Sequence, residues 1–176
     1  MFPHALFRRW RREQSGTTAV EFGMIAPLFL ALLLGSGDAG WLMTKAMLLD
    51  QAVTKSVRTL RIGGEGAPTT HNQFRKLICD QTILIPDCNE SLLIEITVVK
   101  SASSFPTASM PCIDRGKPAP STSFTTGGRS DMLFLRACLT ADPMFPLIGN
   151  GLGLPRTEQG RFNLISLSGF MNEPGV

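Results

Sequence analysis

Gly16-Thr17-Thr18-Ala19-Val20-Glu21-Phe22-Gly23-Met24-Ile25-Ala26-Pro27-Leu28-Phe29-Leu30-Ala31-Leu32-Leu33-Leu34 is the stretch on which the reading of this chain turns. From Phe22 to Leu34 it is almost uninterrupted apolar sequence, and nothing later in the 176 residues is as dense. Phe22 to Met43 is 22 residues. At a rise of 1.5 Å per residue that is about 33 Å of helix, against a bilayer hydrocarbon core of about 30 Å. The stretch predicts a membrane-spanning helix.

Upstream of it lie Arg8, Arg9, Arg11 and Arg12 against Glu13, so residues 1–16 hold a net charge of +3, the whole formal charge of the chain. Of the 17 basic and 14 acidic side chains, removing those four and that one leaves 13 of each in residues 17–176. The basic pI is thus local to the first residues. No clustered patch remains to suit a nucleic acid. Four arginines precede the apolar run and only Lys45 closely follows it, so the positive-inside rule leaves the N-terminus in the cytoplasm and sends the rest outward.

Cys79, Cys88, Cys112 and Cys138 all lie downstream of the run. An even number on one side of a membrane suits an oxidising compartment and two disulfides. Of the three pairings, Cys79–Cys88 with Cys112–Cys138 is favoured, because the first closes a short loop around Pro86 and Asp87; four free buried thiols are the alternative. A metal site is not expected, since no Cys-x-x-Cys occurs and His71 is the only nearby histidine.

Beyond the run, Leu42, Ala46, Leu49, Val53, Val57 and Leu60 recur at spacings of three and four, which continues the helix with one apolar stripe. The stripe suits either packing against neighbouring subunits or the cover of the chain's own domain. Lys45, Asp50, Lys55 and Arg58 lie off it, and Gly63-Gly64 with Pro68 stop the helix. A short helix is expected over 69–81, with Phe74, Leu77 and Ile78 on one side. Alternation over 92–99 predicts a half-buried strand, with Leu92, Ile94, Ile96 and Val98 on one face. Residues 101–130 read as a long loop. A second strand is expected over 132–140, with Leu133, Leu135, Ala137 and Leu139 inward, and a third over 162–170. The fold class is α+β: a long N-terminal transmembrane and amphipathic helix, then a small disulfide-containing domain with a short helix and about three antiparallel strands. The division expected is a leader at 1–16, the anchor helix at 17–62 and an extracytoplasmic domain at 63–176.

Glu21 stands out, because a carboxylate in an apolar helix is costly and calls for a partner. A basic leader, Gly16, four residues, then Glu21 and Phe22 resembles the recognition pattern of prepilin peptidases. With Ala26-Pro27-Leu28 following, the segment resembles the TadE/TadG-like family, pseudopilins of tight-adherence (Flp, type IVb) pili. The resemblance covers about a quarter of the chain; its major pilins carry Tyr where Phe22 stands and are shorter, which points to a minor subunit. It implies cleavage between Gly16 and Thr17 by a prepilin peptidase, and pairing of Glu21 with the amino group of a neighbouring subunit. The implied partners are that peptidase, other pilin or pseudopilin subunits and the pilus assembly platform. The implied location is the bacterial inner membrane with the C-terminal domain in the periplasm, or the pilus itself.

No catalytic constellation, cofactor motif or nucleic-acid surface is expected. His71 lacks a Gly-x-Ser-x-Gly partner and reads as an exposed or capping residue, and Gly149-Asn150-Gly151-Leu152-Gly153 lacks the setting of a dinucleotide fingerprint. Three other readings stand beside the pilin one: an ordinary membrane anchor; a cleaved secretory signal with Phe22–Leu34 as its apolar core and a cut near Gly35-Ser36-Gly37; and, under either, an extracytoplasmic binding domain or enzyme unrelated to pili.

Overall fold

The structure is a computed structural model, and it describes residues 15–63, 66–101, 112–114, 120–145 and 156–172. The arginine cluster and the Gly149–Gly153 run lie outside these residues. One long helix, α1 (Ser15–Ile62), opens the chain. It is followed by α2 (His71–Cys79), α3 (Cys88–Ser91) and three strands: β1 (Leu92–Val98), β2 (Met132–Ala141) and β3 (Phe162–Met171). The strands form an antiparallel sheet in the order β1-β2-β3, with Ile94 opposite Ala137 and Leu139 opposite Leu164.

Helix α1 passes through Pro27 without interruption. Its end is set by Gly63, whose φ of +66° is the left-handed conformation that suits glycine and whose N–H donates to the Thr59 carbonyl. The start of α2 is fixed by a reciprocal cap. The Thr70 hydroxyl accepts from the Gln73 N–H, and the Gln73 side-chain carbonyl accepts from the Thr70 N–H. The end of α2 is tied by a disulfide between Cys79 and Cys88, while a second disulfide joins Cys112 to Cys138 on β2. This is the pairing the short-loop argument favours. The bridge between Cys112 and Cys138, 26 residues apart, restricts the unfolded chain by about 3.5 kcal/mol on a loop-entropy basis.

The core forms where the helices cover one sheet face. Leu42, Leu49, Val53, Val57 and Leu60 of α1 meet Phe74 and Ile78 of α2, and the inward residues of the strands, among them Ile94, Ile96, Leu135, Leu139 and Phe162. The stripe on α1 thus covers the chain's own domain. The buried residues of α1 from Leu42 to Leu60 are part of that core, which is completed only when α1 is present. Each such buried side chain contributes about 1.5–3 kcal/mol of apolar transfer.

The structure corrects two expectations. The strand read as half-buried is covered on both faces, because Ile113 and the Cys112–Cys138 bridge pack over Leu93. Opposite Arg136 in the ladder, Glu95 is buried there too, as is Arg136. His71, expected as exposed or capping, is half-buried and joins α2 to the sheet. Its Nε2 lies 3.0 Å from the Ile94 carbonyl, and its Nδ1 lies 3.1 Å from Arg75. Arg75 can only donate, so Nδ1 accepts and the Nε2–H donates to Ile94. The ring also meets Phe124 edge-on at 5.5 Å. The short helix α3 was not expected.

Candidate assembly surface

The first half of α1 is the part of the molecule that the fold leaves uncovered. No residue from 16 to 37 is buried. Phe22 and Met24 are each 72% exposed, and Leu28, Leu32 and Leu33 all exceed half. A helix apolar all round has no reason to form in water, where an apolar stripe on one side suffices. In lipid the same pattern is stable, because the backbone bonds are internal and every face meets hydrocarbon. This is a helix long and apolar enough to cross a membrane, followed by a folded domain.

Asp38 marks the boundary. It is the first buried residue of α1, with no exposed surface, and its Oδ1 accepts a 2.8 Å hydrogen bond from the Met144 N–H, 106 residues away. One and two turns further on, Leu42 and Lys45 follow on the same side, and Trp41 lies under the Lys45 ammonium, 5.3 Å from the ring centroid. Burial lowers the Lys45 pKa, while the carboxylates of Asp142 and Asp38 act in the opposite direction. Asp142 in turn pairs with Arg161 at 2.8 Å. The segment 142–145 therefore clasps α1 with a polar collar at Asp38. The uncovered length is 16–37, about 33 Å of helix at 1.5 Å per residue, enough for a bilayer on its own. The span reckoned from apolar density, Phe22 to Met43, is displaced by about six residues toward the N-terminus. Asp38 itself, a carboxylate inside the supposed span, was the available signal for the displacement.

Of the residues singled out by sequence, Gly16, Thr17, Glu21 and Phe22 all lie on the first two turns of α1 and are exposed. Thr17 and Glu21, four apart, share one face. A Cβ added at Gly16 or Gly23 would meet nothing within 4 Å, so the fold itself does not require glycine there. The four cysteines lie in the domain, bonded in pairs, away from this surface. Among the described residues no group of histidines, cysteines and carboxylates is disposed to hold a metal.

Fold and surface together define a folded domain carried on a helix long and apolar enough to anchor it in a membrane. The family model for TadE-like proteins matches residues 16–58, about a quarter of the chain, and over that span the chain is similar to them. The match takes in the exposed half of α1 and most of its buried stripe, and ends before α2. No curated protein and no solved structure matches the chain.

Proposed function

We propose that the chain is a minor pilin or pseudopilin subunit of a tight-adherence pilus, and that it performs no catalysis. The observation that carries this reading is the uncovered apolar helix of residues 16–37, bearing Glu21 within it and continuous with the core of a folded domain. A prepilin peptidase would cut between Gly16 and Thr17 in the inner membrane and leave the domain in the periplasm. Glu21 is then the fifth residue of the mature chain. Starting the span at Gly16 puts Glu21 about 7 Å along the uncovered helix at 1.5 Å per residue. A charge near the bilayer centre costs about 2.5–3.5 kcal/mol on insertion scales, and less toward the interface. The new amino group of Thr17 on a neighbouring subunit would offset it, since each charge removes the other's desolvation penalty. Trp41 and Lys45 suit the opposite membrane surface, where an amphipathic ring and a snorkelling ammonium are both favoured.

The test is the mature N-terminus of the membrane-borne protein, read by mass spectrometry. A chain beginning at Thr17 is expected. One beginning at Met1, or near Trp41, would contradict the reading. Glu21→Ala should leave insertion intact and impair assembly; normal assembly by that variant would instead favour an anchored domain unrelated to pili.

A further inference from the structure

Two surfaces on either flank of the buried stripe of α1 are complementary. On one flank, α1 and β3 enclose an open groove of about 680 Å³, lined by Thr54, Val57, Arg58, Ile62 and Phe170, with Lys55 at its rim. Its walls are mainly apolar and its exposed charges, Lys55, Arg58 and Arg61, are basic. On the other flank stands the loop closed by the Cys79–Cys88 bridge. Ile83 at its tip is 92% exposed, more than any other large apolar side chain described, and Leu84 beside it is 48% exposed. Asp80 and Glu90 flank the loop and are exposed.

The two surfaces also lie at one height. Gln81 at the start of the loop donates to the Ser56 hydroxyl of α1, and the groove runs along residues 54–62 of the same helix. Copies anchored in one membrane stand with their α1 helices parallel, so only surfaces at equal height can meet side by side. We propose that the Cys79–Cys88 loop of one copy docks in the α1–β3 groove of the next, with Ile83 in the groove and Asp80 against Arg58. The disulfide holds the loop in shape before contact, which lowers the ordering cost of docking. Because the two surfaces differ, the contact is head-to-tail and propagates from copy to copy and does not close a pair. The proposal rests on the reading of the chain as an assembling subunit.

The test uses the full chain in a bacterial membrane, with the photoreactive residue p-benzoylphenylalanine at position 83. Illumination is expected to give adducts of two copies, with the joined peptide mapping to residues 54–62 or 166–170. Arg58→Glu should lower the yield by about threefold, the scale of an exposed ion pair. Adding Asp80→Arg should recover it, which a merely structural effect of either change would not do. Adducts mapping elsewhere on the copy, adducts with a different protein, or no adducts would each overturn the docking. The same probe at Leu28 separates the two levels. Two-copy adducts at 28 without docking adducts at 83 sink the docking alone. No two-copy adducts at either position sink the assembly reading with it.

Discussion

Helix α1 is continuous from Ser15 to Ile62, yet its two halves obey different rules. Upstream of Asp38, apolar side chains occupy every face and none is buried. Downstream, the buried ones keep to one stripe, and Leu42, Leu49 and Val53 are each no more than 2% exposed. The difference is one of solvent. A lipid-facing helix has no wet side, whereas a helix at the edge of a domain buries one side and hydrates the other. One secondary-structure element thus carries an anchor and a core element in series, and a polar collar at Asp38 separates them.

The largest test of that contrast compares equivalent truncations in the two halves. Leu49→Ala, at a site 1% exposed, should destabilise the domain by about 2–5 kcal/mol, read as a lower unfolding temperature of the detergent-solubilised chain. Leu32→Ala, at a site 68% exposed, should leave that temperature unchanged. Equal losses would erase the distinction between the halves. Asp38 gives a smaller effect and a sharper one. Asp38→Ala strands the Met144 N–H, at a cost of about 1–3 kcal/mol. Asp38→Asn keeps an acceptor oxygen for that N–H and removes a buried charge, so its unfolding temperature should stay above that of Asp38→Ala. The reverse order would mean that the collar depends on charge and not on the hydrogen bond. The smallest expected change is Thr70→Ala, which removes the cap holding α2 over the stripe; about 1 kcal/mol should appear in chemical denaturation.

The stripe of α1, the alternation in the first two strands and the apolar side of α2 were legible in the sequence, because each is a local period of one element. What escaped reading depends on contacts far apart in the chain. Asp38 looked like part of the membrane span until Met144 was found bonded to it. Leu93 and Glu95 looked solvent-facing, and only Ile113 with the Cys112–Cys138 bridge covers that side. His71 offered no periodic cue at all, since its role is set by the Ile94 carbonyl 23 residues away. At the candidate assembly surface, Glu21 was conspicuous by its chemistry alone, whereas the groove between α1 and β3 comes from two elements more than 100 residues apart.

The claim that α1 is anchor above Asp38 and core below it is tested most directly by two shortened chains, residues 36–176 and 63–176, each oxidised and followed by thermal unfolding. The longer one keeps the collar and the whole stripe, and is predicted to remain soluble and unfold cooperatively near the full chain's temperature. The shorter one loses Leu42, Leu49, Val53, Val57 and Leu60 from the core, and is predicted to show no cooperative transition. A cooperative 63–176 chain with the same midpoint, or a 36–176 chain that fails to fold, would contradict the account.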